Sequence, residues 1–501
     1  MMRRIALAVL VAVSLGTAAG AQTLRIGLQA DPDALDPATS GSFTTRIVLA
    51  ALCDKLIDVD ADLNYVPQLA TAWRWEDNAR ALVLSLRQGV VFHDGTPLDA
   101  EAVRVNLERY RSAPESLRKT ELRPVSAVEV VDPATIRLRL SEPYAPILAV
   151  LSDRAGMMMS PRALASQGAP MAQNPVCSGP FRFVERVMQE RIVADRFDRY
   201  WDAGAIHLDR VVYQTVVNSS VRLANLRAGA LELIERVAPT DLAIVRAQPR
   251  LRLMDSPALG YITLSINVAN GPRAAGPLGN PRIREAFELS FDRNVINQVV
   301  MDGAFIASNQ PQAPGTPFYN TDRPVPARDV ARARQLLAEA GSPRVSFTMM
   351  VPNSPVDQQV GEVIQSMAAE AGIDVRVQPT EGSTIVAATN RGDYEAAMVI
   401  WSGRADPDGN VSIWLQCDGF VNWGRYCNRE VDALLAAARR STDMAERQRL
   451  YRQASAIYLA ERPHLVLYHY RLFWGMTDRL SGFRPHPDGI IRLQGLRLAG
   501  S

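Results

Sequence analysis

The chain has 501 residues, 47% of them hydrophobic, and a formal net charge of +2. That length exceeds the roughly 250 to 300 residues one hydrophobic core serves, so two or three lobes are expected. A nearly neutral chain has no electrostatic basis for holding nucleic acid or an anionic membrane surface, and neither partner is expected.

The first 21 residues read as a secretory leader. Arg3 and Arg4 precede an apolar run from Ile5 to Leu15, and Ala19-Gly20-Ala21 forms an A-x-A cleavage site. Cleavage after Ala21 would start the mature chain at Gln22 and remove both charges that make up the net +2. The apolar run is too short for a bilayer core of about 30 Å, and no later stretch reaches the roughly 18 apolar residues a spanning helix needs. No cysteine stands at the cleavage point for lipidation. A soluble periplasmic protein is the expectation.

In the mature chain Thr23 to Leu28 alternates as a strand, and ADPDALDP then breaks it at two Asp-Pro steps. Ser42, Phe43 and Thr44, in SGSFTTR after this strand, are candidate ligand contacts. Leu82 to Leu86 reads as a strand, Asp94-Gly95 as a tight turn, and Asp99 as the N-cap of a helix carrying Val103, Leu107 and Tyr110. Val125–Val131 and Thr135–Leu140 pair around Asp132-Pro133. His93 has no nucleophile beside it to activate, so it reads as a residue that orders its turn. Gly179-Pro180 turns the chain into a strand from Phe181 to Val187, and Leu223 to Glu232 gives a short helix and turn.

The strand Tyr261 to Ile266 ends at Asn267, a further candidate ligand contact, where the chain begins to cross into a second lobe. Pro281 suits a first helical position, and Ile283, Ala286, Phe287, Ser290 and Phe291 follow at helical spacing. Asp292 caps a second helix that Gly303 stops, and Pro311, Pro314, Gly315 and Pro317 enforce an extended loop. Val345–Val351, a helix bearing Val360, Val363, Ile364, Met367 and Ala371, and the strand Ile373–Val377 make a βαβ crossover with parallel strands. In such α/β lobes ligands meet the carboxyl ends of strands. Those ends are Asn353 and, after the strand Ala396–Trp401, the loop Trp401 to Asp408. Within eight residues this loop supplies an aromatic wall in Trp401, a fork of donors in Arg404, and two acceptors in Asp406 and Asp408. A plain surface turn, with Arg404 paired to a neighbouring carboxylate, is the competing reading of the same loop.

Several of these blocks together resemble one family. R-x-A-x-x-x-x-x-D-R-x-x-I from Arg284 to Ile296, P-x-x-P-G-T from Pro311 to Thr316, the H-D-G-T-P run at His93 to Pro97, and G-P-F-x-F with the later Tyr200-Trp201 occur in order. They are similar to the bacterial extracytoplasmic solute-binding proteins of family 5, the peptide, opine and nickel class that feeds ABC transporters. The resemblance runs from about Leu24 to about Leu493. It implies an α/β fold of the type 2 periplasmic binding protein kind, with two lobes, a hinge and an extra subdomain. Lobe I would comprise residues 22–50, 176–266 and 478–501, the extra subdomain 51–175, and lobe II 267–477. The implied role is to capture a peptide-like or anionic organic solute between the lobes and deliver it, chemically unaltered, to an inner-membrane ABC permease. A monomer without cofactor or metal is expected, and nickel or haem capture within the family is the alternative.

Four cysteines in an exported chain allow three pairings. The resemblance implies Cys417–Cys427, which leaves Cys53 to Cys177. This chain also departs from its relatives. Where dipeptide- and oligopeptide-binding members place an Asp for the peptide ammonium group, it offers Arg404. Val351 and Asn353 stand where dipeptide-binding members carry an Arg and a Tyr. A simple dipeptide would thus lose the charged partners of both its ends, at a desolvation cost of several kcal/mol. A secreted hydrolase fails on inventory, since the five histidines have no G-x-S-x-G, H-E-x-x-H or glycine-rich phosphate loop beside them.

Overall fold

A computed structural model describes residues 22–167, 172–419 and 421–499. The expected leader, 1–21, lies outside the described residues. Among the described residues, no helix is long and apolar enough to cross a membrane.

One eleven-stranded sheet runs through the molecule. From one edge its order is Ile373–Thr380, Val345–Pro352, Ala396–Trp401, Leu251–Ile266, His464–Thr477, Leu233–Ile234, Thr23–Leu28, Arg210–Thr215, Arg191–Arg196 and Phe181–Val187, with Ile306–Ala307 added beside His464–Thr477. The two long central strands, Leu251–Ile266 and His464–Thr477, are antiparallel partners along most of their length, and they carry the chain between two packed regions. One core gathers Leu24, Ile26, Tyr213 and Trp474, while the other gathers Leu264, Phe287, Phe347 and Tyr468, so each central strand is anchored in both. A third core, around Leu82, Leu84, Val103, Tyr110 and Ile136, fills a separate four-stranded sheet.

The βαβ crossover forms as its apolar spacing predicts. Val345–Pro352 lies parallel to Ile373–Thr380 in continuous register, and the helix Pro355–Glu370 between them buries Val360, Ile364, Met367 and Ala368. Ser354 caps that helix by accepting from the Asp357 N–H, with Pro355 in the first turn, where no donor is needed. Asn280 and Asp292 likewise cap two earlier helices, Pro281–Ser290 and Arg293–Met301, by accepting backbone N–H groups of the first turn. Phe287 meets Phe347 edge-on at 5.0 Å, which docks the first of these helices on the sheet. The second helix ends through a left-handed pair, Asp302 and Gly303, so its stop begins one residue earlier than the glycine predicts. Arg293 of the D-R pair is fully buried, donating to the Val466 carbonyl at 2.7 Å and to Glu288 at 2.8 Å. This motif is therefore an internal brace between helix and central strand.

Two features differ from the sequence expectation. The strand entering the second region begins at Leu251 rather than Tyr261, because Asp255 and Pro257 break the alternation without breaking the pairing to His464–Thr477. Ala70–Glu76 and Arg191–Arg196 are further strands, each closing a hairpin with its sequence neighbour, Ala81–Leu86 and Phe181–Val187.

The four cysteines form Cys53–Cys177 and Cys417–Cys427. His93 sits beside the first bridge, its Nε2 3.0 Å from the Gly179 carbonyl and its Nδ1 accepting from the Cys177 N–H, so it orders the turn as expected. Asp54, next to Cys53, is fully buried and accepts from Trp201 Nε1 at 2.6 Å, Gln68 Nε2 at 3.0 Å and the Tyr200 hydroxyl at 3.2 Å. Burial pushes its carboxyl up to about 7, against the pull of these donors. A folded value above the unfolded one means the native state holds the extra proton. The stabilisation is therefore complete below about pH 4 and lost as pH rises to about 7, with a slope of at most about 1.4 kcal/mol per pH unit. Asp54→Asn is expected to flatten this dependence, read as urea midpoints between pH 4 and pH 7; midpoints that stay parallel to wild type would show that Asp54 titrates normally.

Candidate functional site

The loop that follows Ala396–Trp401 is pressed against the central strands where they lose register. Their pairing shifts between Pro257 and Tyr261, and Gly260 lies inside that shift. A Cβ on Gly260 would fall 1.9 Å from the Tyr470 hydroxyl and 2.5 Å from the Trp401 carbonyl. Gly403 has φ +78°, and its Cβ would fall 2.3 Å from the Leu259 carbonyl carbon. Both glycines are thus required by close backbone approach. Gly403→Ala is expected to push the loop off the central strands and to destabilise the fold by about 1 to 3 kcal/mol, measured by urea denaturation. An unchanged midpoint would contradict the packing.

Asn410 shapes the loop. Its side-chain oxygen accepts from the Arg404 N–H at 2.7 Å and from Trp401 Nε1 at 3.0 Å, while its amide donates to the Arg404 carbonyl at 2.8 Å. The Arg404 guanidinium lies 4.8 Å from the centre of the Trp401 ring and donates to Ser402 Oγ and the Gly403 carbonyl. Its Nε reaches to 4.0 Å from Asp153 Oδ2, on a turn of the segment that carries the third core. Asp153 in turn accepts from Arg46 Nε at 3.0 Å and from the Arg154 N–H at 2.8 Å. Arg154 Nη1 donates to the carbonyls of Ser40 and Ser42. Burial alone would raise the Asp153 carboxyl, but Arg46, Arg154 and Arg404 hold it far below the usual carboxylate range. Arg154 is pushed down to about 9, by burial first and by the neighbouring guanidiniums of Arg118, Arg46 and Arg404, although Asp153 opposes the shift.

The Phe43 ring packs beneath two more contacts, with Arg236 5.2 Å and Arg46 5.7 Å from its centre. Arg236 also lies 5.3 Å from the Tyr470 ring. Trp401, Arg404 and Phe43 are thereby gathered around one patch of guanidiniums and aromatic faces. Ser42 caps the helix Phe43–Leu52 by accepting from the Thr45 N–H, and Thr44 is buried.

The remaining candidates are placed differently. Asp406 is buried and bound to Arg447 at 2.8 Å, and Asp408 opens the helix Asp408–Leu415 and is bound to Arg439 at 3.0 Å. Both carboxylates, read from sequence as free acceptors, are committed to helices that follow them. Asn267 spends its amide on the carbonyls of Asn270, Gly392 and Tyr394. Asn353 is exposed at the start of the βαβ helix, its carbonyl accepting from Gln358. Arg46, Asp153 and Arg154 were not singled out from sequence. Their one local signal is charge inside apolar runs, in FTTRIV and in LSDRAG.

His464 and His469 are buried in the central strand, where burial lowers them to about 3 and about 4. His464 packs 4.7 Å from the Trp414 ring, and His469 Nε2 lies 3.0 Å from the Gln310 carbonyl. Among the described residues the grouping with metal-ligating side chains is Cys417, Cys427 and Asp432, and both of its sulfurs are in the disulfide.

Residues 64–422 match the model of the bacterial extracellular solute-binding proteins, family 5 middle region. The chain belongs to this family. The family 5 protein is 28% identical to the glutathione-binding protein GsiB of Salmonella paratyphi A, over 91% of this chain and 90% of that one. It is likewise 28% identical to GsiB of Pectobacterium atrosepticum, over 92% and 91%. Its fold matches the periplasmic binding protein DppA from Helicobacter pylori in complex with the peptide STSA, with a TM-score of 0.84 at 24% identity over 95% and 98% of the two chains. The substrate-binding protein CtaP from Listeria monocytogenes matches with a TM-score of 0.85 at 21% identity, over 95% and 99%. The family 5 protein thus has the type 2 periplasmic binding protein fold and a solute-binding role.

Proposed function

We propose that the protein is the periplasmic substrate-binding component of an ABC importer, capturing a peptide or peptide-like organic solute between two lobes and passing it unaltered to a permease. Lobe I would be residues 22–50, 176–266 and 478–501, with 51–175 as its extra subdomain and 267–477 as lobe II. The observation that carries the reading is Arg404, on the second region, facing Asp153 and Arg46 on the other side. Further contacts bridge the same divide, including the Ala145 N–H to the Arg439 carbonyl at 2.8 Å and Glu142 to Arg440 at 3.3 Å. A solute that touches both sides adds contacts only in the shut arrangement, and by that difference it shifts the population toward it. Trp401 and Phe43 supply aromatic walls, and Arg404 the fork for an anionic group. The chain acts as a monomer, exported by cleavage after Ala21, and binds without turnover.

Thermal unfolding of mature protein with glutathione, with di- and tripeptides, and with nickel and haem tests the reading. A bound peptide-class solute at a hundred times its Kd should stabilise the native state by about 2.7 kcal/mol. Stabilisation by nickel or haem alone would overturn it.

A further inference from the structure

The guanidinium patch also specifies the charge of the solute, given the peptide-like reading above. We infer that the site selects solutes with a net negative charge, and that a solute carboxylate seats against Arg46, Arg154 and Arg404.

Positive charge and hydrogen-bond donors are both in excess at this patch. Three guanidiniums brought by three separate segments share a single carboxylate, Asp153. Arg46 is 7% exposed and Arg154 3%, yet among the described residues Arg46 Nη1 makes no hydrogen bond and Arg154 Nε comes only to 3.8 Å from Asp153, too far for one. The buried hydroxyl of Ser40, whose carbonyl already takes Arg154, is also without a partner. Buried charges and donors left unpaired cost free energy that a counter-ion recovers. A carboxylate, with two oxygens and about four acceptor positions, is matched to such forks.

The acids in this region are in turn already satisfied. Asp33 accepts from the N–H groups of Gly41 and Ser42 and from the Thr45 hydroxyl, and Glu121 pairs with Arg118 at 2.8 Å. Asp406 and Asp408 are held by Arg447 and Arg439. A solute ammonium group therefore meets partnered carboxylates, whereas a solute carboxylate meets spare donors. An acid beyond the zwitterion's own, as in a peptide with an acidic side chain, is the chemistry this asymmetry favours.

Isothermal titration calorimetry on the mature full chain with glutathione and glutathione monoethyl ester, and with Ala-Glu-Ala and Ala-Gln-Ala, separates the possibilities. The expected result is that at least one acid binds ten-fold or more tightly than its neutral partner. In Arg404→Gln, a change in a partly exposed loop side chain, the acid should lose at least ten-fold and its neutral partner much less, so that the preference for the acid narrows. Melting temperatures of the variant confirm that it folds. Equal affinity for acid and neutral partner overturns the charge selection and leaves the peptide-like reading standing. Binding of neither member of either pair, with other neutral peptides bound, overturns the selection as well; failure of every peptide overturns both.

Discussion

Arg447→Met is expected to lower the unfolding free energy by about 3 to 5 kcal/mol, because it strands a buried carboxylate. Asp406 is 4% exposed and its Oδ1 accepts from Arg447 Nη2 at 2.8 Å. The same guanidinium donates to the Ala438 carbonyl at 3.1 Å and lies 5.4 Å from the Phe318 ring. Methionine keeps much of the side-chain volume and loses all of these polar contacts. Burial already pushes the Asp406 carboxyl above its ordinary value, so without Arg447 it must protonate or draw water inward. Asp406→Asn combined with Arg447→Met should recover part of the loss, since the stranded charge is then gone. Urea denaturation of the three variants measures it, and a loss under about 1 kcal/mol in Arg447→Met would contradict the pairing. Solute affinity should fall too, because Asp406 anchors the chain just after Arg404.

The second large effect belongs to the disulfides. Cys53 and Cys177 are 124 residues apart in sequence, whereas Cys417 and Cys427 are 10 apart. In the chain-entropy model, closing the longer loop stabilises by about 5 kcal/mol and the shorter by about 3 kcal/mol. Replacing Cys53 and Cys177 by Ala is therefore expected to destabilise more than the same change at Cys417 and Cys427. Tight packing adds to the difference, since a Cβ on Gly179 would fall 2.5 Å from the Leu52 carbonyl carbon. Denaturant midpoints of the two double variants decide the order. A larger loss from the short loop would show that local strain or contacts, rather than loop closure, set these energies.

Local chemistry made much of the fold legible. The caps at Asp99, Asn280 and Asp292, the βαβ crossover and the antiparallel pair around Asp132-Pro133 each rest on residues a few positions apart, so a sequence reading reaches them. The extent of Leu251–Ile266 was hidden, because its first half is a strand only through its distant partner His464–Thr477. The site divides on the same line. Trp401 and Arg404 declare themselves within one loop. The engagement of Asp406 and Asp408 depends on Arg447 and Arg439, which lie 41 and 31 residues further on, and no local pattern announces it. Asp153 and Arg46, 107 residues apart in sequence, meet only in the folded chain.

The central claim is a reversible clamp whose two sides close on a solute at Arg404 and Asp153. Small-angle X-ray scattering of the mature protein, with and without a solute found to bind by calorimetry, tests it most directly. The account predicts a smaller radius of gyration with solute, and the loss of that compaction in Arg404→Gln. Superimposable profiles with and without saturating solute would contradict it.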